Sequence, residues 1–556
     1  MSEKIRVELA DWQFNAGIVG LYNILEYAGD EVVKKDNYIE FYPEHLERFE
    51  EKYFSYLIEK YKDILSINKI IYFEKVMDHY EESNFDGINE DRFKEINEYI
   101  DSLKKYLKSN SYKAAYDLIN HSTDILNLEK NLKTIKLKKK QEVRDVIPDI
   151  KNAFELIKKI IEFMEQDESR KYIGAKNVIY TIIKNAWNGV CFLNPQTKQK
   201  DMYIDYKNYF VDPVIEYLEE DVSKFKYNCF SCDRKMKNFD NDLSFLNNTG
   251  FDVSRKTSHV WNFDNDVAIC PICKLVYSCI PAGITYIYDR GIYINDNSSA
   301  RNAININNKI YKEIYELNDD RKLTYRALVN AISEEYNDKV KYELADIQVV
   351  RYEDEKYRFN ILSLKTLEVI RNCKKELDRL IHCGFREINT YFNIYDLVID
   401  RLFNSQNMFT LVQKLLYYKL SAPRDCYFNL SDVLAILKIN TEFIKEVGYM
   451  TDLEKDIVKL GNISGYYLRE KYRDKGAIDK LSGISYRLLN ALKTNNVDSF
   501  MDTLLNCYLY AKLPVPEVFL DTLRSEEKFK TIGYAFIAGL IEGKKDEENG
   551  GVLNEK

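Results

Sequence analysis

The sequence is poor in the residues from which most hydrolytic centres are built. Its 556 residues include five histidines: His45, His79, His121, His259 and His382. They are scattered, with no His-Asp doublet and no His-x-x-x-His pair, so no histidine-based nuclease or hydrolase centre is visible. A Gly-x-x-x-x-Gly-Lys-Ser/Thr phosphate loop is missing; "GLIEGKK" near Gly543 is too short and lacks the hydroxyl residue. A Gly-x-Ser-x-Gly elbow is missing too. Acidic doublets are common, but in a chain with 89 acidic residues they read as surface. The expectation is a scaffold or recognition subunit, not an enzyme.

Other absences narrow the class further. The longest apolar runs, such as "YAFIAGLI", are too short to span a bilayer. The opening "MSEKIRVELADWQF" has no apolar signal-peptide core. A cytoplasmic protein is expected, without a membrane partner. Ten cysteines in so long a chain are not a disulfide framework, and in a reducing compartment paired Cys-x-x-Cys motifs point to metal. Positive charge is not in excess, since 81 Lys and Arg stand against 89 Asp and Glu, for a net charge of −8. A dedicated nucleic-acid binder is usually basic, so nucleic-acid contact here has to be local. The 44 tyrosines fit a low-GC compositional bias and carry no argument alone.

Enough remains for a folded chain of two to four domains. The pattern reads as α+β, predominantly helical. Positions 1–226 form a mixed N-terminal region. A cysteine module covers 227–280, a strand-rich segment 281–364, and a helical bundle 365–556. Leu9, Trp12, Ile18, Leu21 and Leu25 recur at helical spacing, with Gly29 as a stop. Tyr38 to Tyr42 reads as a strand, with Pro43 opening a helix. "ITYIYDRGIYIND" alternates around Asp289-Arg290-Gly291, a hairpin pattern, and a second strand pair runs from about Leu344 to Leu362. From Lys365 the pattern is helical, with a polar tail from about Lys544.

The strongest motif is a pair of knuckles. "NCFSC" supplies Cys229 and Cys232; "CPIC" supplies Cys270 and Cys273 after thirty-seven intervening residues. Each knuckle offers two sulfurs from one tight turn, and two knuckles complete a tetrahedron around Zn2+ at about 2.3 Å per bond. Four thiolates close the sphere, whereas catalytic zinc keeps a water position open, so a structural site is expected. An iron–sulfur cluster also takes four Cys, but nothing suggests a redox partner. His259 lies between the knuckles as a substitute ligand or a loop residue, and Cys279 is expected to pack in the following strand. Separately, "EKNLKTIKLKKKQEVR" gathers Lys136, Lys138, Lys139 and Lys140, either a phosphate-facing strip or a solvated surface.

"DWQFNAGIVGLYNILE" (Asp11 to Glu26), "AWNGVCFLN" (Ala186 to Asn194) and the knuckles followed by "IPAGITYIYDRG" resemble one family. It is the large subunit of type I-B CRISPR effector complexes (Cascade), in its zinc-knuckle-bearing branch. The resemblance implies a non-catalytic subunit that contacts the guide RNA's 5′ end. It implies recognition of a target-adjacent motif (PAM) in double-stranded DNA, help in R-loop formation, and docking of a helicase-nuclease. Backbone, RNA-end-binding and small subunits are the implied partners, and the C-terminal bundle resembles the small subunit. In that frame the polar loop residues Asn188, Asn194, Gln196, Lys198 and Lys200 are candidates for reading a duplex. Arg469, Lys471, Arg473 and Lys475, interleaved with Tyr466, Tyr467 and Tyr472, are candidates for following a single strand. The resemblance also implies an internal start at Met408 or Met450 that yields a separate small subunit. The rival readings are a zinc-ribbon enzyme acting on nucleic acid and a zinc-stabilised interaction scaffold.

Overall fold

In a computed structural model the chain is α+β and mainly helical, and it divides into two compact units. The structure describes residues 3–120, 123–247, 268–315, 347–448 and 456–542. His121, His259, Met450 and the polar tail lie outside the described residues.

The first unit comprises residues 1–323 and 347–359. Strand β1 (Ile5–Glu8) leads into helix α1 (Trp12–Tyr27). The Asp11 carboxylate caps α1 by accepting from the amides of Gln13 and Phe14. Gly29 follows the helix end at φ +83°, where a side chain would be strained. Strands β2 (Val33–Lys34) and β3 (Tyr38–Phe41) join β1 in an antiparallel sheet of order β1-β3-β2. Ile5 pairs with Phe41 and Val7 with Ile39, so the apolar side of the sheet faces the core.

Helices α2 (Phe49–Lys60), α3 (Ser66–Glu82), α4 (Glu90–Leu107), α5 (Asn110–Tyr116), α6 (Ile125–Asn131) and α7 (Ile147–Glu165) follow. The longer ones bury an apolar stripe; α4, for example, buries Phe93, Ile96, Ile100, Leu103 and Leu107. Helix α8 (Asp167–Val178) passes through a π-helical turn, Ile179–Ile183, to a last turn at Lys184–Ala186. Short helices α9 (Met202–Tyr206) and α10 (Asp212–Glu219) lead to a two-stranded hairpin, β4 (Tyr227–Asn228) and β5 (Lys235–Met236).

The second knuckle opens α11 (Pro271–Ser278), which runs through Cys279 into α12 (Ile280–Gly283). Cys279 therefore packs at a helix junction, not in a strand, because the Pro-initiated helix extends past it. Strands β6 (Thr285–Ile287) and β7 (Arg290–Asn295), helix α13 (Ala300–Tyr315), and strands β8 (Ile347–Glu353) and β9 (Lys356–Leu362) complete the unit, and β9 continues into the second. The sheet order is β6-β7-β8-β9. Ile287 pairs with Arg290, so the hairpin turn is Tyr288-Asp289, one residue earlier than the sequence suggests. Gly291 sits opposite Tyr286, and a Cβ there would strike the Tyr286 ring; this glycine makes room and does not turn the chain.

The second unit comprises residues 324–346 and 360–556. It contains α14 (Leu364–Asn372), α15 (Lys374–Leu380), α16 (Ile394–Phe403), α17 (Phe409–Ser421), α18 (Leu430–Val447), α19 (Ile457–Asp474), α20 (Lys480–Lys493), α21 (Val497–Ala511) and α22 (Glu526–Glu542). Helix α22 carries "YAFIAGLI" and is buried on nearly every side, which explains an apolar run too short for a bilayer. Gly465 on α19 and Gly539 on α22 let the two backbones touch, since a Cβ on either would overlap a carbonyl of the other helix. The unit is not purely helical. Strands β10 (Gly384–Glu387), β11 (Thr390–Asn393) and β12 (Cys426–Tyr427) form a small antiparallel sheet. Met408 is buried immediately before α17, and its amide donates to the Asn440 side chain at 2.7 Å.

Candidate metal centre

The first knuckle forms because β4 and β5 turn back within six residues. The Cys229 amide donates to the Arg234 carbonyl at 2.8 Å, and the Asp233 amide to the Cys229 carbonyl at 2.9 Å. Asp233 takes a left-handed conformation, φ +57°, to close the loop. The second knuckle forms where Pro271 starts α11, with Cys270 just before the helix and Cys273 in its first turn. Both sulfurs therefore lie at the positive end of a helix, which favours thiolate. The knuckles also hold each other: the Phe230 amide donates to the Ala268 carbonyl at 2.9 Å, and the Cys270 amide to the Cys229 sulfur at 3.2 Å.

The four Sγ atoms all lie within 4.8 Å of one another. Cys229 and Cys273 are 3.7 Å apart, and Cys232 and Cys270 are 3.6 Å apart. A tetrahedron with ~2.3 Å metal–sulfur bonds has edges of about 3.8 Å, so the set fits zinc. Among the described residues it is the only group of this kind, and it holds the four cysteines the spacing pointed to. Cys229, Cys270 and Cys273 are buried and Cys232 is half-buried. Hydrogen bonding among the four thiols pushes Cys232 well below its ordinary range and Cys270 and Cys273 above theirs, with the Cys229 and Cys232 contacts raising Cys270. Sulfurs this close ionise together only around a cation. Burial works against the Arg234 cation, but the neighbouring Cys232 sulfur offsets it and leaves the guanidinium above its usual range.

What the centre holds is clear from α11 and α12. A Cβ on Gly17 would overlap the Val276 carbonyl, one on Gly20 the Cys279 carbonyl, and one on Gly283 the Ala16 carbonyl. Helix α1 therefore lies backbone to backbone on the helices that leave the second knuckle. The Tyr277 hydroxyl donates to Asp11 Oδ2 at 2.5 Å and lies 3.1 Å from Ser231 Oγ, linking the α1 cap to the first knuckle. The indole N–H of fully buried Trp187 donates to the Ser278 carbonyl at 3.1 Å, and Tyr53 donates to the same oxygen. The three segments that carry the family resemblance pack around one centre. Asp11, Tyr277 and Arg234 were not singled out by the sequence, because neither a capping aspartate nor a loop arginine is distinctive by itself.

The polar loop starts directly after Trp187. Asn188 is exposed; its amide donates to the Phe245 carbonyl and its side chain accepts from the Gly189 amide. Asn194 accepts from the Gln196 amide at 2.9 Å, so both asparagines shape turns. Gln196, Lys198 and Lys200 are exposed. Lys136, Lys138, Lys139 and Lys140 are all exposed on an extended loop after α6, and among the described residues none has a carboxylate partner. That loop is tied to α4 by the Asn97 side chain, which both donates to and accepts from the backbone of Ile135.

In the second unit, Arg469, Lys471 and Arg473 lie on α19, and Lys475 just beyond it. Lys471 pairs with Asp474 at 3.3 Å and Arg473 with Glu470 at 2.8 Å. Tyr467 is exposed and Tyr466 half-buried, but Tyr472 is buried against Tyr510 and does not belong to the exposed strip.

Residues 222–285 match a family model, Cas_CXXC_CXXC, described as a CRISPR-associated protein. The match supports a CRISPR-associated protein. It begins just before the first knuckle and ends at the start of β6, so it covers the metal centre and the helices that dock on α1. No curated protein and no solved structure matches the chain. No described helix is long and apolar enough to cross a membrane.

Proposed function

We propose that the chain is the non-catalytic large subunit of a type I-B CRISPR RNA-guided surveillance complex, working in the cytoplasm. The observation that carries this reading is the family match over the four-thiolate module. Zinc is the metal that a closed set of four cysteines favours, and its role is structural. The centre fixes α11, and through Ser278 it fixes Trp187 and the root of the polar loop. A recognition surface on a rigid root reads a short duplex motif, while base pairing with the guide RNA reads the long sequence. Gln196, Lys198 and Lys200 supply the exposed polar groups for that duplex, and the Lys136–Lys140 loop a phosphate contact. The partners are the guide RNA 5′ end, the target duplex, the backbone, RNA-end-binding and small subunits, and the helicase-nuclease.

The test is purification of the tagged chain from cells that carry its neighbouring genes. The expected result is co-purification of other subunits with RNA of uniform length bearing a constant repeat-derived 5′ end. The purified chain alone is expected to cut neither strand with divalent metal present. A chain recovered free of RNA and partners, or turnover abolished by changing one acidic cluster, would overturn the reading. A C-terminal label on the otherwise unaltered gene tests the internal start, with a second, shorter species expected from Met408.

A further inference from the structure

A cavity of about 620 Å³ opens where the end of α2, the start of α3 and the first turn of α8 meet in the first unit. Its volume suits a ligand of nucleotide size. Lys62, Lys69, Arg170 and Tyr72 contribute to its lining, together with the carboxylates of Glu59 and Asp63. Lys62 is paired with Glu59 at 2.7 Å and Arg170 with Glu165 at 3.2 Å. Lys69 differs. Among the described residues it has no carboxylate partner; its ammonium donates to the Tyr288 hydroxyl at 3.1 Å and sits 4.9 Å from the centroid of that ring. Tyr72, three residues along the same helix face, is 65% exposed. The Lys75 ammonium lies 5.5 Å from the centroid of the Tyr72 ring, so a further cation stands beside this exposed aromatic face. Lys69 also borders a second hollow of about 270 Å³, lined by Glu98 as well, so a cation without a carboxylate partner among the described residues stands between two depressions.

We propose that this cavity binds one unstacked nucleotide of a single strand, with the base on the Tyr72 ring and its phosphate on Lys69 and Arg170. This rests on the nucleic-acid reading above and assigns a place for a single strand that no motif marks. The chemistry matches the ligand. Base–aromatic stacking tolerates any sequence, because every base has a π-face. A cation without a carboxylate partner needs no ion pair broken before it meets phosphate. Arg170 keeps a planar fork that can reach a phosphate while one edge stays on Glu165. A duplex cannot enter, because its bases are stacked and paired.

The experiment measures binding of the full chain to a fluorescein-labelled ten-nucleotide uridine RNA and to a twenty-base-pair DNA duplex. The proteins are the unaltered chain, Tyr72→Ala, Tyr72→Phe and Lys69→Gln. Tyr72 and Lys69 are surface residues, so the variants fold, and circular dichroism checks this. Tyr72→Ala and Lys69→Gln are expected to weaken the RNA complex about tenfold and to leave the duplex complex within twofold. Tyr72→Phe keeps the ring and is expected to bind as the unaltered chain. Bromouridine RNA is expected to photo-crosslink to the peptide containing Tyr72. Equal loss on RNA and duplex, equal loss with Tyr72→Phe, or crosslinks confined to other peptides would overturn the proposal while leaving the nucleic-acid reading intact. Failure of the unaltered chain to bind either probe would overturn both.

Discussion

Substituting Gly20 by alanine should destabilise the first unit, although alanine is the better helix former. In an open helix the change gains about 1 kcal/mol. At Gly20, however, the new methyl group would lie on the Cys279 carbonyl and against the Gly283 amide. Both are backbone atoms, so no side chain can swing aside. Helix α1 would have to move off α12, and overpacking of this kind costs about 1–3 kcal/mol, sometimes more. Separation also loosens the packing of Gly17 on Val276 and of Gly283 on Ala16. Set against the helix-propensity gain, the expected net loss is roughly 1 kcal/mol, up to about 2. A methyl group added at Gly483 on α20 would meet nothing within 4 Å, so Gly483→Ala should gain up to about 1 kcal/mol. Urea unfolding followed by tryptophan fluorescence reads the first unit through Trp12 and Trp187, and circular dichroism reads the whole chain. A midpoint for Gly20→Ala equal to or above that of the unaltered chain would refute the backbone-to-backbone packing.

Trp187→Phe removes the indole N–H that meets the Ser278 carbonyl and leaves a small void; a loss of about 1–3 kcal/mol is expected in the same assay. Burial pushes the Lys60 ammonium down to about 7, while in the unfolded chain it titrates near ~10.4. Between those values the unfolded chain binds more protons, so this group makes stability rise with pH across the window, by at most ~1.4 kcal/mol per unit, and contributes no slope below it. Unfolding of Lys60→Met from pH 7 to 9.5 should lack that rise, and an identical slope in both proteins would contradict the assignment. Exchanging Lys136, Lys138, Lys139 and Lys140 for glutamine should flatten the salt dependence of duplex binding by up to about 0.9 in log–log slope for each phosphate left without its lysine. An unchanged slope would place this loop away from the DNA.

Much of the metal site was legible because its chemistry is local. A Cys-x-x-Cys is ligating wherever the chain turns tightly, so Cys229, Cys232, Cys270 and Cys273 could be paired before any fold was known. The α1 helix and its Gly29 stop, the β6–β7 hairpin and the mainly helical second unit were legible for the same reason. The position of the hairpin turn was not, because Gly291 has the look of a turn residue, whereas it clears space for Tyr286 across the strand pair. The small sheet of β10, β11 and β12 was hidden because its strands have four, four and two residues, too short to show an alternation. Tyr472 has the spacing of an exposed strip, and only packing reveals that it faces Tyr510. The Lys69–Tyr72 cavity brings the junction of α2 and α3 together with α8, about a hundred residues later, and nothing local distinguishes its residues from a solvated face.

The central claim is that the four cysteines form a closed clamp and not a reaction centre. Metal content and target-duplex binding, measured together on the unaltered chain and on Cys270→Ser, test it most directly. One zinc per unaltered chain is expected. In Cys270→Ser the metal and the duplex binding should fall together, with no chemical step altered. Full metal content with full duplex binding in Cys270→Ser would contradict the account.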